Sequence, residues 1–449
     1  MHAVGAGGTI AGAALVAYLL GRRSPGLGAA WVFLTLTAAL SSFEALKHLG
    51  MNARWGALAG LGLVVASTLA TRSARRAIVI IAAVGALLLT SVTWSIDPML
   101  TFQRAIAYTL VVGVTYGLTL SVASHDARQR SLMLRLAFAA ALVTVLTLVV
   151  LATGADQAVM HGADSGLVRG ITESSNTFGE LVALAIPLWL AALDRRGRGW
   201  TLGSLAVLGG SEVLILLSGS RTGVIIAALA TLAYLVARRR GQMVTLAAIV
   251  SAVVVLGYWE VGRTTSLIPQ AARLGSVRQG IDAGDPPVAS ANRTSRWNAF
   301  LSGRDEAWQA SWDLFVERPV LGYGFGSGDR VFERHGIRFP TFVGNDPNNG
   351  YIRAVLELGV LGGAAFLSVL VGALAVALAS LRRGPHAPGD ATAVALLIAI
   401  CIGALTETFI VAPGTPWAFL FWIAVWTVLL PALRTPRLLQ ARPTAEAIT

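Results

Sequence analysis

Residues 346–380 read DPNNGYIRAVLELGVLGGAAFLSVLVGALAVALAS, a polar start with Asp346, Asn348 and Asn349, then a long apolar run in which Arg353 and Glu357 are the charged residues. A helix over 351–380, rising about 1.5 Å per residue, is longer than the roughly 30 Å hydrocarbon core of a bilayer. The rest of the chain repeats that pattern. Of 449 residues, 55% are hydrophobic and 13% charged, with a mean hydropathy of +0.68. That is too little charge to coat a soluble globule of this size. The composition therefore specifies an all-α polytopic membrane protein.

Apolar runs of spanning length lie near 5–21, 27–46, 55–71, 77–94, 103–122, 132–153, 176–193, 201–217, 222–237, 242–259, 351–380, 391–411 and 416–433, which predicts about 12 or 13 transmembrane helices. They divide the chain into an amino-terminal helical part (1–260), a polar loop (261–350), a carboxy-terminal helical part (351–434) and a tail (435–449). The first run has no basic residue before it and Arg22 and Arg23 after it, which predicts an uncleaved helix with its amino end outside. The lone Cys401 falls in an apolar run, so neither a disulfide framework nor a cysteine metal site is expected.

Basic residues are retained in short cytoplasmic links. Arg22/Arg23, Arg72/Arg75/Arg76, Arg128/Arg130/Arg135, Arg195/Arg196/Arg198, Arg238/Arg239/Arg240 and Arg382/Arg383 occupy every second connection, and Arg434, Arg437 and Arg442 the tail. Those segments are expected in the cytoplasm, where the net charge of +12 orients the chain and attracts anionic lipid. No basic domain with interleaved aromatics suggests a nucleic-acid partner. The remaining links share the opposite, external face, with the link holding Lys47 and Arg54 a mild exception. They are WSIDP (94–98), 154–176, SGSRTG (218–223), the stretch near 260–350 and 412–416. The unusual polar motifs all fall on that one face.

In SGSRTG, Arg221 opens a helix after a turn of small residues. Its planar fork and the helix amino terminus suit a phosphate or carboxylate, while a snorkelling anchor is the equally simple alternative. Arg304 stands in SGRDEAWQASW with Ser302 placed as an N-cap. Trp308 and Trp312 share one helical face, as in an amphipathic helix lying along a membrane surface, and interfacial anchoring explains them more simply than sugar stacking. Pro319 then ends the helix, and Gly322, Gly324 and Gly326 permit a close backbone turn.

WSIDP, Gly170-x(5)-Asn176, SGSRTG, SGR-x(3)-W with PVLGYGFG, and NNGYIRAVLELGVLG occur in an order that resembles the O-antigen ligase and polysaccharide polymerase family over roughly residues 90–410. The resemblance implies a metal-independent, cofactor-free, inverting glycosyltransferase in the cytoplasmic (inner) membrane, active on its external face. It would take a polyprenyl-diphosphate-linked glycan as donor and a glycan or lipid-linked glycan as acceptor. Membrane lipids would surround it, and polysaccharide export or chain-length proteins are possible partners. By motif, Arg221 and Arg304 match the two diphosphate-contacting arginines. Trp94, Asn176, Ser220, Trp308, Gly322, Gly324, Gly326, Tyr351 and Glu357 fall on supporting positions.

The sequence departs from the family where a His-Asn pair usually enters the helix, because Asn348 and Asn349 stand here. An asparagine amide hydrogen-bonds but does not titrate. Asp346, His335 and, farther along the helix, Glu357 are the candidate replacements, unless leaving-group stabilisation suffices. A transporter or flippase of lipid-linked or anionic solutes, or a non-catalytic membrane partner, is the alternative class. A transporter commonly shows repeated halves and mid-membrane charges on broken helices, and neither is clear here.

Overall fold

The computed structural model describes residues 2–72, 75–123, 125–160, 167–194, 198–239, 304–337, 346–382 and 385–433. They form α1 (His2–Arg23), α2 (Pro25–Ala38), α3 (Glu44–Arg72), α4 (Arg75–Thr90), α5 (Pro98–Val122), α6 (Asp126–Ala152), α7 (Ser175–Leu193), α8 (Arg198–Ser218), α9 (Arg221–Ala237), α10 (Arg304–Glu317), α11 (Gly328–Arg334), α12 (Gly350–Leu381), α13 (Pro388–Gly403) and α14 (Pro416–Leu433). Among the described residues no β-strand occurs, only the isolated bridges Ser41–Thr172 and Val159–Val168. Seven helices (α3 to α7, α12 and α14) are long and apolar enough to cross a membrane, and α2, α9, α13 and the Ala206–Ser218 part of α8 are shorter apolar helices. The expected span at 242–259, the whole 261–303 stretch with the expected N-cap Ser302, and the tail lie outside the described residues.

Helix starts follow local chemistry. Asp97, Ser174, Ser220 and Asn349 each cap a helix by accepting its first free N–H groups, and proline opens α2, α5 and α13 where no N–H is needed. Packing then depends on small residues. A Cβ on Gly56 would sit 2.0 Å from the Ile10 carbonyl oxygen, and one on Gly60 2.1 Å from that of Ala14. This glycine pair lets α1 and α3 touch backbone to backbone, the usual device where lipid supplies no hydrophobic drive between helices.

α5, α7 and α14 form the centre, buried along most of their length, and Tyr108, Tyr116, Trp422 and Trp426 fill it. The Trp426 indole N–H finds the Val112 carbonyl at 3.0 Å, so the polar edge of the ring is satisfied inside. α4, α6 and α12 turn exposed Val, Leu, Ile and Phe outward. Such a belt would drive aggregation in water and is the surface lipid requires.

Four features differ from the sequence expectation. α3 begins at Glu44 rather than near 55, so Lys47 and Arg54 lie within that helix and not in a link. The run expected over 27–46 stops at Ala38, because Leu40 to Phe43 turn and dock on the 167–174 segment through Ser41 Oγ to Ile171 O at 2.8 Å and Ser42 N–H to the same oxygen at 3.0 Å. α13 ends at Gly403 rather than near 411, and 404–415 becomes a loop. α12 is interrupted at Gly359, whose φ of 65° and ψ of −169° are not helical. Only glycine adopts that backbone readily.

Links collect at two ends of the bundle. At one, Asp194 pairs with Arg238 and Gln129 Nε2 donates to Asp390 at 2.8 Å. At the other, the turn after α2, the link before α5, α10 and α11, the start of α12 and the 404–415 loop assemble together. The 167–176 and 218–223 links join this end through Ser41 to Ile171 and Thr222 to Thr406, so all five motifs lie in this second set.

Candidate active site

The break in α12 shapes the frame. With the helix ladder open at Gly359, the carbonyls of Leu356 and Glu357 accept the N–H groups of Tyr323 (3.2 Å) and Gly324 (2.8 Å), and Val360 N–H donates to Pro319 O at 2.8 Å. The PVLGYGFG segment thus lies along the broken helix. A Cβ on Gly322 would meet Leu356 O at 2.5 Å, one on Gly324 would meet Ser95 Cβ at 2.5 Å, and one on Gly326 would meet Arg104 Cδ at 2.4 Å. All three have positive φ and no room for a side chain, because Gly322 lies against the α12 backbone and Gly324 and Gly326 against the Ser95 and Arg104 side chains. WSIDP closes the same frame: Trp94 Nε1 donates to Leu321 O at 2.9 Å, Ile96 N–H to Tyr323 O at 3.1 Å, and Phe325 N–H to Ser91 Oγ at 3.1 Å.

Beneath the frame lies a closed ionic network. Arg353, 7% exposed, places Nε on Glu357 Oε1 at 2.8 Å, pairs through Nη1 with Asp346, and holds Nη2 3.8 Å from Asp329 Oδ1. Arg104 grips Asp329 with two bonds of 2.7 and 3.1 Å and also donates to Gly326 O. Fully buried Glu357 accepts Gly326 N–H at 2.7 Å and Gly328 N–H at 2.9 Å. Burial works against the charge of Asp329, yet the hydrogen bond and charge of Arg104, aided by Arg353, hold its carboxyl below the ordinary carboxylate range. Each charge in this set meets an opposite charge.

A second, open cluster lies beside it. Arg304, at the first position of α10, donates from Nη2 to Glu407 Oε1 at 2.8 Å, with side chains only 14% and 18% exposed. Glu407 shares a hydrogen bond with Glu180 of α7, which is 2% exposed. Burial pushes the Glu407 carboxyl up to about 7 against the pull of Arg304. Arg304 Nε and Glu180 Oε1 are buried without a hydrogen-bond partner. The α9 amino terminus stands next to them. A Cβ on Gly223 would lie 3.0 Å from the Gly179 backbone, and Thr222 Oγ1 meets Thr406 Oγ1 at 2.9 Å. Arg221, adjacent to Thr222, is exposed, and Ser220 spends its oxygen on Gly223 N–H at 3.0 Å.

The helix α12 begins against the same loop. Gly350 N–H donates to Ala404 O and Glu407 O, at 2.8 and 3.0 Å. Asn349 caps the helix through Tyr351 N–H and Ile352 N–H, both at 3.0 Å, and its amide donates to Leu405 O at 2.8 Å. Its polar atoms are therefore occupied. Asn348 has a left-handed backbone, φ 47°, held by its N–H to Asp346 Oδ1 at 2.9 Å. Among the described residues its amide has no partner. Tyr351 Oη donates to Cys401 O at 2.6 Å and Trp308 Nε1 to Pro347 O at 2.9 Å.

The structure thus brings Arg221, Arg304, Ser220, Asn348, Asn349 and Asp346 to one place, with Asn176 on the first turn of α7, two turns or less before Glu180. His335 is placed elsewhere: its Nδ1 lies 2.8 Å from Val331 O and its Nε2 3.7 Å from Glu317, against the Tyr323 ring. Glu180, Glu407, Arg353 and Arg104 were not singled out by motif. The available signal was an ionisable residue in an apolar helix, which flags Glu180, Arg353 and Arg104, whereas Glu407 gives no such sign. No cluster of His, Cys, Asp and Glu suited to a metal occurs among the described residues.

The fold and site define a polytopic membrane protein with a polar centre at one end of its bundle. Residues 203–367 match the family model described as O-Antigen ligase, which bears out the resemblance carried by the motifs. The matched segment runs from α8 into the first half of α12 and includes Arg221, Arg304, the glycine turn and Asn348. It supports a membrane glycan-processing role of the O-antigen ligase or polymerase type, with lipid-linked glycans and polysaccharides as substrates. No curated protein matches the chain significantly.

Proposed function

We propose that this protein transfers a glycan from a polyprenyl-diphosphate-linked donor to a glycan or lipid-linked acceptor at the external face of the cytoplasmic membrane. The observation that carries the reading is the open arginine: Arg304 is fixed by Glu407, yet its Nε is buried and unspent, beside the α9 amino terminus with Arg221. Breaking the anomeric C–O bond loads negative charge onto the leaving diphosphate. A held guanidinium and a helix amino terminus stabilise that charge more strongly in the transition state than in the ground state. Attack from the opposite side of the sugar inverts the anomeric centre. Asn348 offers a hydrogen bond to a sugar hydroxyl.

The external placement rests on the alternation of basic links in the sequence; the described residues Arg130, Arg238, Arg239 and Arg382 gather around Asp194 and His386, at the bundle end opposite Arg304. Arg334→Cys puts a thiol on an exposed position of α11, while native Cys401 is buried. A membrane-impermeant thiol reagent labels that variant in intact cells on this reading, and labelling only after permeabilisation reverses the sidedness. In a deletion strain, the reading expects surface polysaccharide lost and restored by the wild-type chain. Single repeats on the surface identify a polymerase, and full-length lipid-linked chains left unattached identify a ligase. Unchanged polysaccharide refutes both.

A further inference from the structure

Where the family carries a titratable histidine, Asn348 stands here, so the proton of the acceptor hydroxyl needs another destination. His335 is drawn aside to Glu317 and Tyr323, and the Asp346 carboxylate is engaged with Arg353 and the Asn348 N–H. Glu407 differs from both. It lies in the 404–415 loop at the mouth of the bundle, partly open, and its contacts leave it adjacent to the arginine assigned to the diphosphate. We propose that Glu407 is the general base of the transfer and that Glu180 positions it; this rests on the glycan-transfer reading above.

The chemistry is set by the groups around Glu407: Glu180 from α7, Arg304 from α10, Asp346 ahead of α12, and the Thr222–Thr406 hydroxyl pair. A hydrogen bond between two carboxyls requires a proton, so the Glu180–Glu407 pair retains one and carries a single negative charge. In the reaction the acceptor oxygen bonds to the anomeric carbon and its proton passes to the Glu407 carboxylate. The bond from that carbon to the diphosphate oxygen breaks, and its electron pair leaves with the diphosphate. Glu407 then returns the proton to water. Its proton affinity near neutrality suits this task.

The two carboxylates also couple to the donor. Arg304 holds Glu407 in its ionised form; a diphosphate drawing on the same guanidinium weakens that hold and makes Glu407 a stronger base. The base is thus strongest when the leaving group is in place. Neither glutamate falls within the 203–367 segment matched by the family model, and the fold delivers both to the matched arginine.

The test uses full-length protein in membranes of a deletion strain that retains its own lipid-linked glycan, with glycan transfer read against pH. Binding of sugar-free polyprenyl diphosphate to the purified variants in nanodiscs is read in parallel. Glu407→Gln is expected to lower transfer about a hundredfold or more while polyprenyl diphosphate binds within threefold of wild type, and Glu407→Asp to recover part of the loss. Wild-type transfer should rise through an acid limb near pH 7. Glu180→Leu removes the hydrogen bond to Glu407 and should move that limb upward by about one pH unit, with Glu180→Gln, which keeps a donor, moving it back. Wild-type turnover in Glu407→Gln, or loss of diphosphate binding together with transfer, overturns the base assignment alone. A wild-type protein that binds no polyprenyl diphosphate overturns the donor reading and this proposal with it.

Discussion

Two arginines less than a helix length apart in the fold, Arg353 and Arg304, live in opposite conditions. Arg353 faces Asp346, Glu357 and Asp329 and leaves no donor atom buried without a partner, whereas Arg304 has one carboxylate and a buried, unspent Nε. The carboxylates differ in the same way. Glu357 is filled by two glycine N–H groups and a guanidinium, and Glu180 keeps an oxygen with nothing to accept. Burying an unmet polar group costs about 1–3 kcal/mol. The saturated set is therefore read as scaffold and the unsaturated set as the place a ligand completes.

The largest effect should come from the scaffold. Arg353→Met leaves three carboxylates facing one another, at a cost of about 3–5 kcal/mol, so little folded protein should reach detergent extracts. Normal yield and thermal stability in that variant would remove the distinction. Arg304→Lys keeps charge but loses the planar fork. Transfer should fall about a hundredfold, equivalent to roughly 3 kcal/mol, with protein level unchanged.

Gly359→Ala falls below these. It forces a side chain onto a backbone with φ 65° and to within 2.2 Å of Val320 O, expected to cost about 2 kcal/mol and to lower the melting temperature by displacing the glycine turn. Asp346→Asn should cost only about 1–2 kcal/mol, because the amide still bonds the Asn348 N–H, and transfer should stay within tenfold. Abolished transfer in a stable Asp346→Asn protein would instead make Asp346 a reacting group and the closed network part of the chemistry. The smallest effect concerns acid. Asp329 has a lowered carboxyl pKa in the fold, so its stabilisation is present above the unfolded value and lost as pH falls through the folded one. Asp329→Asn should flatten that part of the stability profile measured by thermal melts in acid.

The bilayer made much of the fold legible. Apolar runs must be helices of spanning length there, and local caps such as Asp97-Pro98, Ser174 and Ser220 announce their starts. The stops were harder. The run through Leu40-Ser41-Ser42-Phe43 stays apolar enough to continue a helix, and only its docking on Ile171 ends α2. Gly359 reads as one more small residue in a membrane helix until Val320 is seen against it. Motifs located Arg221, Arg304 and the glycine turn because each is marked by its own immediate chain neighbours. Their partners are not: Arg304 meets Glu407 across 103 positions and Arg104 meets Asp329 across 225. No local pattern encodes such pairings, so the site was half visible: Arg221, Arg304, Asp346 and Glu357 were readable, and Arg104, Glu180 and Glu407 were not.

The central claim is that Arg304 is open to a diphosphate while Arg353 is closed. Binding of polyprenyl diphosphate to purified wild type and Arg304→Lys in nanodiscs, alongside their melting temperatures, tests it most directly. The account predicts at least about tenfold weaker binding in Arg304→Lys, the loss of one bidentate charge-assisted contact, with the melting temperature retained. Equal affinity in the two proteins would contradict it.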